Sequence, residues 1–342
     1  MIAHKYNWLY ILQGWAILWV VIGNTYLVQA GNGPEWESAL LRAAYSFHLP
    51  LLMFVSGCIF CKSLLLSDDN PQQKNELLKS HVLRLVVPFV LFTFIAIIAK
   101  AVLSRSEFSY GFMVGDFIQG FMFPGEHPMS PLWFVMVLIW LYLMYPVWEF
   151  IIEKPWLVWA VGVVLLAIHL VNCPIELLCV KWLCYFALYF YLGIIIMKKG
   201  YLDHLSGMNG FYIFVVGYVL YMSGLDFDKT LTEVSGIVLS IGIALILNKT
   251  YPGIFFTFRS SYFQIFLLGY FVQLAFRMVY HYISLPYYLG YLMCLSFGIY
   301  IPVVITTLAR AINSSSLNCC LGLTDEAEQA VVRNNNKLVV EI

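Results

Sequence analysis

AAYSFHLPLLMFVSGCIFCKSLLL, residues Ala43 to Leu66, is the stretch from which the rest of the chain is read. It is long enough to cross a bilayer, for which about 20 apolar residues suffice. It nevertheless contains His48, then Pro50, and a Ser56-Gly57 pair half-way along. An ionisable group and a helix-perturbing residue each cost stability in lipid, so together they mark a span that lines a site. The competing reading is a histidine that is simply hydrogen-bonded inside a helix bundle, as most buried polar groups are.

The surrounding composition agrees with a membrane setting. Of 342 residues, 61% are hydrophobic and 11% charged, against about 25% charged in soluble domains. The apolar residues come in long runs rather than amphipathic stripes. Net charge is zero and no basic block occurs, which excludes nucleic acid as a partner. Hydropathy marks ten candidate spans, at about 8–29, 43–66, 83–103, 131–152, 156–172, 177–197, 209–224, 234–248, 261–281 and 286–308. Tyr110 to Phe123 is apolar but short and Gly-rich, and reads as a helix lying at the membrane interface or re-entering it. The expected fold is an all-α integral membrane protein, a bundle of about ten transmembrane helices.

Charge placement orients the bundle. With the N-terminus inside and the spans alternating, most of the nineteen Lys and Arg fall on the inner side, including Lys5, Lys62, Lys74, Lys79, Arg84 and Arg259. Outer segments are acidic and aromatic, as in Glu35-Trp36-Glu37. Both termini are therefore expected in the cytoplasm. The first apolar stretch, from Trp8, lacks a small-residue cleavage pattern and reads as a first span rather than a signal peptide. Residues 1–312 form the membrane domain, and 313–342 a polar cytoplasmic tail expected to be disordered. No repeat of the first half in the second is visible, which argues against an inverted-repeat transporter.

The eight cysteines lie mostly in or beside apolar runs, where cysteine acts as a small hydrophobe. Cys58 and Cys61 form a C-x-x-C, but without companion ligands no metal site is expected. Cys319-Cys320 is open to lipidation or is a neutral pair.

Several polar residues are candidates for chemistry. Gln13 and Asn24 lie eleven positions apart in the first span, about 16 Å along one helix face. They can hold a hydroxyl-bearing substrate or serve as helix–helix glue. His48 and Asn24, both placed near the outer ends of their spans, are expected at similar depth. A neutral histidine there can take a proton from a sugar or water hydroxyl. Lys79 and Arg84 sit where the third span enters the membrane and can clamp phosphates or anchor to lipid head groups. Trp133 opens the fourth span, as an interfacial belt tryptophan does. Glu149, Glu153, His169, Glu176, Lys181, Arg259, Arg277 and His281 read as charges at loop edges.

These stretches together resemble the acyltransferase-3 family of polytopic membrane acyltransferases, especially its branch similar to fucose 4-O-acetylase. Tyr45-Ser46-Phe47-His48-Leu49-Pro50-Leu51-Leu52-Met53-Phe54-Val55-Ser56-Gly57 resembles the family's Y-S-F-H-M-P-L-F-F-F-I-S-G. Arg84-Leu85-Val86-Val87-Pro88-Phe89 resembles R-L-[LI]-x-P-Y, and Leu132-Trp133-Phe134-Val135 resembles L-W-F-L. The first span departs from D-x-x-[KR]-G…G-H, with Tyr10, Gln13 and Asn24 at the Asp, Lys or Arg, and His positions. Ser261 to Gly269 resembles S-Y-x-I-Y-L-L-H, its histidine likewise absent.

The resemblance implies transfer of an acetyl or similar acyl group from acetyl-CoA or another acyl-CoA to a hydroxyl of a surface or lipid-linked glycan. It also implies a bacterial inner-membrane location and no metal. Lys79 and Arg84 would then hold the coenzyme phosphates and His48 would be the base. Asn24 would orient the acceptor, with Gln13 and Trp133 also on the substrate. Because Asn24 cannot accept a proton at neutral pH, either His48 has taken over the base role or the chain has given up acyl transfer. In the latter case it is a glycan- or lipid-binding or transport component. An ion-coupled transporter is more distant, since the spans hold few paired carboxylates and cations.

Overall fold

A computed structural model describes residues 6–28, 33–66, 71–103, 115, 118–120, 122–123, 132–171, 173–202, 207–224, 228–280, 282–283 and 285–323. The expected interfacial segment Tyr110–Phe123 falls largely outside these residues, as do His281 and the tail beyond 323. The helices are α1 (Asn7–Gly23), α2 (Glu35–Phe60), α3 (Pro71–Leu103), α4 (Leu132–Leu143), α5 (Tyr145–Glu153) and α6 (Pro155–Leu170). They continue with α7 (Val180–Lys199), α8 (Gly207–Gly224), α9 (Lys229–Thr250), α10 (Tyr262–Tyr280), α11 (Tyr287–Ile312) and a short α12 (Ser315–Cys320). A π turn, Cys61–Leu65, extends α2. No strand occurs among the described residues.

Proline and acid place several helix starts. Pro34 and Pro286 precede α2 and α11, and Pro71 and Pro155 open α3 and α6, where a missing N–H costs nothing. Glu35 and Glu37 occupy the first turn of α2, the end that favours negative charge. Asp228 caps α9, its side chain accepting the Thr230 N–H at 2.8 Å.

Every expected apolar stretch coincides with a helix, but fewer helices have the length of a span. Six are long and apolar enough to cross a membrane: Glu35–Leu65, Pro71–Ile98, Leu177–Lys199, Lys229–Thr250, Arg259–Tyr280 and Tyr287–Ile312. The pair α4 and α5, bent by 54°, makes a seventh if counted as one span. The 17-residue α1 rises only about 25 Å, short of a hydrocarbon core of about 30 Å. α6 is shorter still, and α8 is not among the six.

The opening of α2 also differs from the expected boundary. The helix begins at Glu35 rather than Ala43, so His48 lies thirteen residues in, close to the middle of Glu35–Leu65. The added turns carry Glu37, fully buried and hydrogen-bonded to Tyr287 across 250 residues. That long-range partner is what allows a glutamate inside the bundle.

α2 is central, packed against α1, α7 and α9. Its crossing with α7 is the tightest in the molecule's core. A Cβ on Gly57 would stand 2.0 Å from the Phe190 carbonyl oxygen, and one on Gly193 would stand 2.1 Å from that of Phe54. The two backbones touch because neither residue has a side chain, as at close helix crossings in membranes. Cys58, buried there, donates its thiol to the Gly193 carbonyl at 3.4 Å.

The outer surface is apolar in the way lipid requires. Trp159 is 79% exposed and Leu308 58%, and neighbours on α6, α8 and α11 form broad apolar faces that water would not tolerate.

Candidate functional site

The site is built on α1, α2 and α10. His48 is buried, and its Nδ1 lies 2.5 Å from the Ala44 carbonyl one turn earlier. A carbonyl can only accept, so Nδ1 carries the proton and Nε2 is left with its lone pair. Nε2 points at α1, 3.6 Å from where a Cβ on Gly23 would stand. Asn24, the next residue, is the half-buried C-cap of α1. Both sit at one level of the bundle, with the ring of Tyr45 5.2 Å from that of His48.

α10 closes the other side. Gln273 is fully buried, and its amide donates to Thr25 Oγ1 at 2.6 Å and to the Val21 carbonyl at 3.1 Å. One turn on, the Arg277 guanidinium stacks over Tyr26 with its carbon 3.9 Å from the ring centre. Arg277 is 6% exposed and is not the loop-edge charge that its sequence position indicates. No sequence signal singles out Gln273. A buried amide and a buried cation one turn apart in an apolar helix are the combination to look for.

A second polar group forms at the other end of α1 and α2. Lys62, in the π turn, reaches the Tyr10 hydroxyl at 3.1 Å and lies 4.6 Å from the Tyr6 ring centre. Arg259 covers the Tyr10 ring at 3.3 Å, and the Tyr262 hydroxyl donates to the Tyr10 carbonyl at 2.9 Å. Neither cation forms an ion pair among the described residues. Two positive charges gathered on one neutral phenol make an anion site. The wide π turn, a feature frequent at functional sites, swings Lys62 inward. Sequence reading placed both residues on the inner side, Lys62 near the end of the second span and Arg259 at a loop edge.

The remaining expected residues are dispersed. Lys79 is exposed, and Arg84 is half-buried with Nε donating to the Gly322 carbonyl at 3.4 Å. Gln264 holds the same segment through the Leu321 carbonyl at 2.9 Å. Gln13 is half-buried on α1, between Tyr10 and the His48 level. Trp133 is buried, its ring stacked on those of Trp182 at 5.0 Å and Phe186 at 5.5 Å.

The structure gives a packing reason for a glycine at position 269. A Cβ there would lie 2.8 Å from the Gly298 carbonyl oxygen of α11. α10 and α11 have closed over the room that an imidazole needs.

A separate network joins α6, α7 and α9. His169 Nδ1 donates to the Tyr185 carbonyl at 2.8 Å, and Nε2 lies 3.2 Å from Thr230 Oγ1. Tyr185 donates to Glu233 Oε1 at 2.6 Å and Tyr189 to Oε2, while Lys229 lies 3.8 Å from Oε1. A shallow pocket lined by His169, Cys173, Lys181, Cys184 and Lys229 opens beside it. Every polar group here is satisfied, which is the signature of a structural clamp. Glu233→Ala is expected to take the acceptor from the buried Tyr189 and the half-buried Tyr185, a loss of about 1–3 kcal/mol for the buried phenol. The detergent-solubilised variant should therefore melt well below the parent in a thermal unfolding assay.

The membrane-length apolar helices and the polar groups held at depth define a multi-pass membrane protein. Its sequence from residue 6 to 327 matches the acyltransferase domain of the acyltransferase-3 family, and the chain belongs to that family. No curated protein and no solved structure matches the chain. The family supports an acyltransferase activity.

Proposed function

We propose that the chain transfers an acetyl or similar acyl group from acyl-CoA to a hydroxyl of a surface or lipid-linked glycan, with His48 as general base. The observation that carries this is the His48 ring: Nδ1 is held by the Ala44 carbonyl, and the free Nε2 faces the Asn24 end of α1. Bound acyl-CoA supplies the thioester. His48 Nε2 takes the acceptor hydroxyl's proton, the oxygen bonds to the acyl carbon, the C–S bond breaks, and the proton returns to the departing thiolate. The Asn24 amide orients the acceptor or steadies the oxyanion.

The coenzyme phosphates fit the cations at the opposite end, where Lys62 and Arg259 share Tyr10 and Arg84 stands on α3. Lys79, exposed on the same face of the membrane, adds charge at the mouth. In this reading both termini are cytoplasmic and α1, α6 and α8 also cross, giving ten spans in a bacterial inner membrane. Lys62→Ala and Arg259→Ala are each expected to raise the KM for acetyl-CoA by about 10- to 100-fold, the value of a hydrogen bond to a charged group. Steady-state kinetics should show kcat changed far less. The biological test is ester analysis of surface glycans from a deletion strain, which should lack an O-acyl group that the parent carries.

A second reading has its own support. Asn24 and Gly269 replace two histidines, and the second position is closed by the Gly298 backbone. A chain that binds the glycan or its lipid carrier without turnover would show saturable acyl-CoA or glycan binding and no coenzyme release.

A further inference from the structure

Arg277 presents a charge that the protein itself does not answer. It is 6% exposed, and Nε, Nη1 and Nη2 all lack a hydrogen-bond partner. No described carboxylate pairs with it. The Tyr26 ring, 3.9 Å away, covers the guanidinium face, and a stacked ring leaves the N–H edge free to bind. The Tyr270 ring centre lies 5.8 Å from the guanidinium carbon, and as a neutral phenol Tyr270 cannot balance the charge. Gln273, one turn earlier, leaves its own Oε1 unpaired. The C-terminal turn of α10 offers the partial negative charge of the helix dipole, which is less than a counter-ion.

Glu37 is the acid to consider as a partner. It makes no ion pair with Arg277, however, and its Oε2 accepts from Tyr287. A guanidinium withdrawn from water without an anion is one of the most costly arrangements a bundle can hold. The five N–H donors in a planar fork match a carboxylate or a phosphate.

The location ties this charge to the base. Arg277 stacks on Tyr26, three residues beyond Gly23, the residue that His48 Nε2 faces. We infer that Arg277 binds an oxyanion, carboxylate or phosphate, on the acceptor and so selects anionic sugars for the hydroxyl that His48 deprotonates. This rests on the acyl-transfer reading above, and it predicts binding even where turnover is absent.

The test uses the full chain in phosphatidylcholine nanodiscs with methyl β-D-glucuronide and its neutral counterpart methyl β-D-glucoside. Binding is read by calorimetry and transfer by ester formation at saturating acetyl-CoA. The parent should favour the glucuronide by about tenfold or more. Arg277→Gln should erase that preference, and Arg277→Lys should keep part of it with the parent's melting temperature. Nanodiscs containing phosphatidylglycerol separate the two sources of the anion. Weakened glucuronide binding there, relieved in Arg277→Gln, assigns the site to a lipid phosphate; unchanged binding assigns it to the sugar. Glucuronide-selective binding without ester formation would sink the transfer reading and keep this one. Equal binding of the two sugars by the parent, or an equal loss of both in Arg277→Gln and Arg277→Lys, would overturn it and leave Arg277 a latent structural partner of Glu37.

Discussion

His48→Ala should reduce acyl transfer by about 10²–10⁴-fold, the span that general-base help contributes. The size of the effect follows from what surrounds the ring. His48 Nε2 is the one described imidazole lone pair that faces the Asn24 end of α1, and Asn24 cannot accept a proton in its place. His169, the other buried histidine among the described residues, has both ring nitrogens engaged in the α6–α7–α9 network. Alanine also removes the partner of the Ala44 carbonyl, so His48→Gln is the sharper variant. Its amide can hydrogen-bond but cannot serve as a base at neutral pH. Both variants should bind acetyl-CoA as the parent does, because Lys62 and Arg259 stand at the other end of α2. A His48→Gln protein with the parent's kcat would remove the base from the mechanism.

Gly57→Leu should prevent the bundle from assembling. A Cβ at that position would overlap the Phe190 carbonyl oxygen at 2.0 Å, and the obstruction is backbone, which has no rotamer to escape into. The reciprocal contact of Gly193 with the Phe54 carbonyl at 2.1 Å means that α2 and α7 must separate along the whole crossing. Overpacking of a core costs about 1–3 kcal/mol, occasionally more, when side chains can adjust. Here even Gly57→Ala should fall in that range, and leucine beyond it. Size-exclusion chromatography of the detergent-solubilised variants should show Gly57→Ala as folded with a lowered melting temperature and Gly57→Leu as aggregated. A monodisperse Gly57→Leu protein with the parent's melting temperature would mean that the two helices do not cross as described.

The placement of α1 to α11 was legible from apolar runs, because hydropathy is local; α12 was not, since Ser315–Cys320 lies in the polar stretch expected to be a disordered tail. Which helices span was less so: α1 ends at Gly23 rather than near residue 29, and α2 starts eight residues before Ala43. The second of these depends on Glu37 meeting Tyr287 from α11, a contact that no local pattern carries. Within the site, the sequence reading expected His48 and Asn24 at similar depth; the structure sets His48 Nε2 against Gly23, the residue before Asn24. Arg277 and Lys62 were not. Each looks like a boundary charge in the sequence, and each is drawn inward by an aromatic partner, Tyr26 just beyond α1 or Tyr10 on it. Trp133 shows the opposite case: an expected belt residue is instead part of an aromatic stack with Trp182 and Phe186.

The most direct test is to reconstitute the purified chain with radiolabelled acetyl-CoA and glycan-bearing membrane lipid, and to follow thiol release and label in the lipid or glycan together. The expected result is one coenzyme thiol released for each alkali-labile ester formed, with both signals lost in His48→Gln. Saturable acetyl-CoA binding with neither thiol release nor ester would contradict acyl transfer and leave a binding protein built on the same fold.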